Sequence, residues 1–153
     1  MSNSIEIKRS EMKKLDRLVG QWQGTGWIQQ GKEKQNFAGT ENVQRKINGL
    51  ALLVEGNFKD KDGKVIHETI AVLSPNLQKK NYDFRAYLAN GNSGDYEFKA
   101  VEDGWQWGFQ FPNGAIRYDI KINNNSWIET GYFSQDNGKT WLKFFEMQLQ
   151  KIK

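Results

Sequence analysis

The residues of this chain that could carry chemistry are few, because the sequence contains one histidine, His67, and no cysteine. Disulfides and thiolate metal sites are therefore impossible, and a single histidine excludes a metal centre built on several imidazoles. Carboxylates and lysines are left as candidate acids, bases and ligand anchors. We predict neither a metal site nor a cofactor for this chain.

Two pairs of ionisable residues fall on predicted strands that share one face. The first pair is Glu41 with His67, and the second is Glu129 with Lys143. A carboxylate among aromatic side chains is unfavourable unless it is paired or hydrogen-bonded. Each pair is therefore interpreted either as an internal ion pair or as the polar anchor of a bound ligand. An enzyme that uses Glu129 or His67 as general acid or base is an alternative hypothesis for the same residues.

Tight turns set the register of the strands that position these pairs. Two-residue loops of the Asn-Gly and Asp-Gly type are the strongest short hairpin signal. Such signals recur at Asn48-Gly49, Asp62-Gly63, Asp103-Gly104, Asn113-Gly114 and Asn124-Asn125. Counting outward from the first turn pairs Glu41 with Gly56, and a four-residue turn over 60–63 places His67 opposite Gly56.

The later turns collect aromatic side chains on one face. The pairs that they predict are Ala100 with Trp107, Phe98 with Phe109, Phe109 with Tyr118, and Ile120 with Glu129. Directly opposed residues share a face, so this count places Glu129 among the aromatic rings. If Phe133 faces Trp141, Lys143 joins the same face and lies diagonal to Glu129.

One strongly apolar face needs a cover, and the only predicted helix is short. This helix spans about 11–19, with Ser10 as its N-cap and Gly20 just past its end. About ten strands follow in meander order, and rolling them into a barrel buries the apolar face and removes the sheet edges. The sequence thus predicts a single all-β domain over 1–153, a closed antiparallel barrel over about 20–150 with the helix plugging one end.

The opening of the predicted barrel resembles a known family. Gly20-Gln21-Trp22 after a short helix matches the G-x-W opening of the lipocalins, whose tryptophan packs under the helix at the closed end. The segments FAGTENVQRKINGLALLVEGNF, HETIAVLSP and SQDNGKTWLKFFEMQL resemble a bacterial lipocalin-like family of the calycin superfamily, a domain of unknown function. The resemblance covers the chain from Leu15 onward. It implies a lipocalin-like barrel with an internal ligand site, but it implies no reaction and assigns no ligand residue.

The stretch SQDNGKTW, from Ser134 to Trp141, fits the Asp-box signature S-x-D-x-G-x-T-W. Asp boxes are typical of sialidase propeller blades, but a propeller needs several blades of about 40–50 residues each. A chain of 153 residues with one Asp box is too short. We interpret the stretch as a hairpin turn in which Asp136 accepts hydrogen bonds from backbone N–H groups.

Charge and composition limit the partners. The net charge is +4, but the basic residues are scattered along the chain, so nucleic acid is not a predicted partner. No secretory signal and no apolar run of membrane-spanning length is visible, and we expect a cytoplasmic protein that does not bind membranes.

The leading prediction is a binding protein that holds a small, largely apolar or aromatic ligand in the barrel interior. The predicted ligand-binding residues are Glu41, His67, Trp107, Phe109, Tyr118, Glu129 and Lys143. The alternatives are the enzyme named above and a barrel packed solid by its aromatic residues, which would act as an interaction module. The sequence leaves the identity of the ligand and the oligomeric state open.

Overall fold

The computed structural model describes residues 2–153 and begins with a helix, α1, at Ser2–Lys13. A short 3-10 turn at Asp16–Leu18 follows it. The predicted helix bounds, 11–19, were wrong at both ends, because Ser10 lies inside α1 and α1 ends at Lys13. The first turns of α1 are polar and are held by other means, since Arg9 pairs with Glu6 and donates a hydrogen bond to the Asn48 carbonyl at 2.9 Å. The first turns of α1 bury few apolar side chains, so the pattern of apolar residues in the sequence did not indicate where the helix begins.

Ten antiparallel strands form a closed barrel in which each strand pairs with its neighbours in sequence and the last pairs with the first. This confirms the predicted all-β architecture, and closure leaves no strand edge unpaired. The strands are β1 (Gly20–Gln30), β2 (Glu33–Lys46), β3 (Ala51–Lys59), β4 (Val65–Asn76), β5 (Asn81–Leu88), β6 (Ser93–Val101), β7 (Gly104–Phe111), β8 (Gly114–Asn123), β9 (Ser126–Ser134) and β10 (Leu142–Lys151).

The predicted register is confirmed at two hairpins and shifted at two others. Glu41 pairs with Gly56, and Ile120 pairs with Glu129, as the turn count predicted. Around Asp103-Gly104 and Asn113-Gly114 the count was wrong by two residues, so that Trp107 pairs with Phe98 and with Tyr118. A shift of two residues keeps every side chain on its face, and the aromatic face is therefore preserved.

The position of two glycines explains the shift. Gly104 and Gly114 are the first residues of β7 and β8, whereas the prediction placed them in the loops. A Cβ at Gly104 would collide with the Ile120 carbonyl, and a Cβ at Gly114 would collide with the Ser134 carbonyl. The glycines are thus required by close approach of the neighbouring strand.

Two registers differ in ways that move predicted site residues. On β4, Thr69 lies opposite Gly56, and His67 lies opposite Phe58. On β10, Leu142 pairs with Phe133, where the sequence predicted Trp141. This one-residue difference turns Lys143 to the outer surface.

A β-bulge follows on β10 between Lys143 and Phe145. The extra residue, Phe144, reaches the interior, where its ring lies 5.8 Å from that of Tyr118. The bulge also returns Phe145 and Met147 to the interior, opposite Gly131 and Glu129.

The end of the barrel next to α1 is packed solid. Trp22, which is 1% exposed, donates its indole N–H to the Leu18 carbonyl at 2.9 Å and meets the Trp127 ring edge-on at 5.4 Å. Tyr82 donates its hydroxyl to the Glu11 carbonyl at 2.7 Å. We call this end the floor. Its buried side chains include Met12, Leu15, Leu18, Trp22, Val43, Leu52, Leu73, Phe98, Trp105, Ile122, Trp127 and Leu149.

No helix within residues 2–153 is long and apolar enough to cross a membrane.

Trp22→Phe should lower the free energy of unfolding by about 2–4 kcal/mol, because it leaves the Leu18 carbonyl without its donor and opens a cavity in the floor. Trp27→Phe is the matched control on the same strand, where the ring faces outward beneath Lys34 at 4.1 Å. Trp27→Phe should lower the free energy of unfolding by about 1 kcal/mol or less. Urea unfolding measures both, and equal losses would show that the floor does not depend on Trp22.

Candidate ligand site in the barrel interior

Above the floor, one wall of the interior is a stack of aromatic rings from β5 to β8. Trp107 lies between Tyr118 at 4.4 Å and Phe84 at 4.8 Å, and both pairs are stacked. Tyr96 tilts against Trp107 at 5.9 Å and against Phe109 at 5.4 Å. Trp107 and Tyr118 remain half-buried although they point inward, so this part of the interior keeps accessible surface. The predicted wall residues Trp107, Phe109 and Tyr118 thus lie side by side, with Phe109 the most exposed of the three.

A second group of rings lines the opposite wall. Phe37 and Phe58 stack at 4.4 Å, and Phe145 lies 5.8 Å from Phe37. Phe145 also meets the edge of Tyr118 at 5.7 Å, which joins the two walls. The carboxyl groups of the interior therefore have aromatic surroundings on both sides.

Glu129 is buried where the predicted register placed it, with 8% of its surface exposed. Its carboxylate accepts a hydrogen bond from the Trp127 indole at 3.2 Å, and the Trp107 indole is a second donor. Burial raises the pKa of Glu129 to about 7, and the two indole hydrogen bonds oppose this rise without cancelling it. The group therefore titrates near neutral pH.

Glu41 occupies the interior beside Trp22 and Gly56. A Cβ at position 56 would lie 2.8 Å from Glu41 Oε1, so the glycine provides the space that this carboxyl fills. Within residues 2–153 the carboxyl has no salt bridge and no hydrogen-bond partner. Burial, and then the charge of Glu129, raise its pKa well above the usual range. The two carboxyl groups thus interact electrostatically inside the barrel.

Glu41 combines a deep position with incomplete burial. Its side chain points inward beside Trp22 and Gly56, yet the residue keeps some accessible surface. Accessible surface at an inward-facing residue indicates some open space beside it.

His67 lies near the open end and does not pair with Glu41, so the predicted ion pair is wrong. Its Nε2 lies 2.6 Å from Thr69 Oγ1, and its ring is 5.2 Å from the Phe58 ring. Burial lowers its pKa, so the imidazole is neutral at pH 7. Thr69 was missed because the predicted register put His67 in its place opposite Gly56.

Lys143 lies on the outer surface, and its predicted interior position was wrong. Its ammonium group pairs with Glu146 and lies 6.0 Å from the Trp27 ring. Because Lys143 faces away from Glu129, it contributes no positive charge to the interior.

The Asp box is a structural turn on the outside of the barrel. Asp136 accepts hydrogen bonds from the Thr140 hydroxyl and, at 2.8 Å, from the Thr140 backbone N–H. These bonds lower the pKa of Asp136 to about 2. The Arg117 guanidinium lies 4.6 Å from the Trp141 ring and 4.7 Å from the Tyr132 ring. These contacts attach the turn to the outer wall of the barrel.

An outer groove of about 580 Å³ crosses β10, β1 and β2 beneath the turn between β3 and β4. Residues that face outward, such as Thr25, Trp27 and Gln148, form most of its lining. It contains none of the predicted site residues.

Comparison with known proteins relates this chain to others by structure. No family model matches the sequence, and no curated protein matches it. The crystal structure of Rv2717c from M. tuberculosis superposes with a TM-score of 0.74 at 12% identity, over 94% of this chain and 98% of that one. The S-type phycobiliprotein lyase CPES from Guillardia theta superposes with a TM-score of 0.64 at 11% identity, over 95% and 97%. The fold is a lipocalin-like barrel. At these identities the likeness concerns the fold alone.

The raised pKa of Glu129 makes stability depend on pH. Its carboxyl titrates near 4.5 when unperturbed and near 7 in the folded protein, so between these values the folded state holds a proton that the unfolded chain releases. The free energy of unfolding should therefore fall as pH rises from about 5 to about 8, by about 3 kcal/mol for this group.

Glu129→Gln should make this decline shallower, because only the contribution of Glu41 remains in the interior, and Glu97→Gln, an exposed position on β6, should leave it intact. Urea unfolding at several pH values measures the slope. A Glu129→Gln protein with the slope of the wild type would contradict the assignment of the pKa to this residue.

Proposed function

We propose that this protein binds a small, largely apolar or aromatic ligand, non-covalently, in the barrel interior. The observation that carries the proposal is the unpartnered Glu41 carboxyl, which keeps accessible surface deep inside an aromatic-walled barrel. Aromatic walls with a few convergent polar groups are the usual composition of a small-molecule site. The interior above the floor has this composition.

The polar groups of the proposed site differ in what they offer a ligand. Burial raises the pKa of Tyr118 above its usual range, so its hydroxyl stays protonated and can donate a hydrogen bond. Glu41 and Glu129 offer acceptors at neutral pH. His67 and Thr69 offer a neutral hydrogen-bonded pair near the open end. We assign the walls to Trp107, Phe109 and Tyr118, as the sequence predicted.

The enzyme hypothesis has one observation in its favour, because a pKa of about 7 suits a general acid or base. A barrel of the same fold also belongs to a phycobiliprotein lyase. The hydrogen bonds to Glu129, however, come from two indole groups that do not titrate. Among residues 2–153 no second titratable side chain hydrogen-bonds to it, so a binding role is better supported. Membership of the bacterial lipocalin-like family of unknown function is proposed on the sequence segments alone.

A cavity-filling substitution tests the proposed site. Thr69→Phe places a ring opposite Gly56 and beside Glu41, and it should weaken binding at least about tenfold by occupying the open space. Ile70→Phe is the matched control, because the neighbouring side chain on β4 faces outward and is 48% exposed. Native mass spectrometry of purified protein should show a bound molecule in the wild type and in the control.

Titration of tryptophan fluorescence with a panel of aromatic ligands gives the affinities of the three proteins. Thermal unfolding verifies that both variants are folded. Equal affinities in the wild type and a folded Thr69→Phe protein would place any binding outside the barrel interior and refute the proposal.

A further inference from the structure

We infer that the ligand is an organic cation, most simply a protonated amine attached to an aromatic or apolar body. This inference rests on the proposed function and names the chemical class that the same site selects. It follows from the set of charges that face the interior and from the aromatic faces that surround them.

The interior carries two carboxyl groups and no basic side chain paired with them. Within residues 2–153, neither Glu41 nor Glu129 takes part in a salt bridge. The other titratable groups that face the interior above the floor are Tyr96, Tyr118 and His67, and none of them is a cation at neutral pH. The interior therefore has only acidic and neutral groups to offer a ligand.

Three basic side chains that lie against the barrel have partners elsewhere. Arg117 pairs with Asp119 on the outer surface, and Lys143 pairs with Glu146. Arg17 donates to the Ile122 carbonyl at 3.3 Å and covers the Trp105 ring below the floor. Moving any of them to the carboxyl groups would break these contacts.

Two like charges in one apolar interior destabilise each other, and each is also disfavoured by loss of water. Burial, and then the charge of Glu129, disfavour ionisation of Glu41. A cation bound between them offsets both effects at once. A ligand with a carboxylate head would add a further negative charge beside these carboxyl groups and should be rejected.

The aromatic walls favour the same chemistry. Trp107 donates a hydrogen bond to Glu129, and the rings of Tyr118 and Tyr96 pack against Trp107. The faces of such rings attract cations, most strongly where water is excluded. The carboxyl groups provide negative charge, and the aromatic rings provide an apolar surface. Together they suit a hydrophobic cation.

Three ligands that share one ring system test the inference. Naphthylmethylamine, naphthylmethanol and naphthylacetic acid differ in charge, being cationic, neutral and anionic at about pH 8, where Glu129, with a pKa of about 7, is ionised. Isothermal titration calorimetry gives the three affinities. The amine should bind at least about tenfold more tightly than the alcohol, and the acid should bind most weakly.

Removal of the interior charge should remove the preference. In the double variant Glu41→Gln/Glu129→Gln, the ratio of amine to alcohol affinity should fall towards one, while the alcohol still binds. Glu97→Gln is the control, since it removes one exposed negative charge, and it should keep the wild-type ratio. If the double variant does not fold, the two single variants take its place, and each should lower the ratio.

The outcomes separate the inference from the proposed function. Binding of the alcohol or the acid as tightly as the amine would overturn the inference and leave ligand binding in the barrel standing. An amine preference that survives both Glu41→Gln and Glu129→Gln would overturn it as well. Binding of none of the three ligands by the folded wild-type protein would contradict the proposed function, and the inference with it.

Discussion

The strict alternation of side chains along a β-strand is the constraint on which this barrel depends. A shift of two residues between paired strands changes which side chains touch but keeps every one on its face, whereas a shift of one residue exchanges inside and outside. Trp107 and Tyr118 point inward although their hairpins are shifted by two. Lys143 points outward because its hairpin is shifted by one. Closure of the sheet then makes the choice of face a choice between interior and solvent.

This constraint explains what could be predicted from the sequence and what could not. The barrel, the aromatic face and the inward position of Glu129 followed from turn residues and alternation, and they tolerate errors of two residues. The partners of His67 depended on the length of the turn between β3 and β4, which the Asp62-Gly63 signal does not define. No turn residue in the sequence indicates the bulge at Phe144. The structure shows it through two adjacent phenylalanines, Phe144 and Phe145, that both pack in the interior.

Tryptophan side chains have two roles in this barrel: they fill the floor, and they donate hydrogen bonds to the proposed site above it. Trp22 and Trp127 fill the floor, with their rings in contact and the indole of Trp22 bonded to the backbone. Trp127 also donates to Glu129, so the packed floor orients the first polar group of the proposed site. A carboxylate held in this way needs a rigid support, because an indole in a mobile layer could not keep its donor aligned.

The buried carboxyl groups work against stability, and this cost is itself an argument about function. Apolar residues of similar size at positions 41 and 129 would remove the desolvation and repulsion that raise both pKa values. Gly56 adds to the cost, because a strand glycine gives up packing to make room for Glu41. Most inward-facing positions of the barrel carry apolar or aromatic side chains, whereas positions 41, 56 and 129 carry two carboxyl groups and a glycine. Such local departures from good packing are expected where a binding site requires them, and this is a physical argument for placing the proposed site at Glu41 and Glu129.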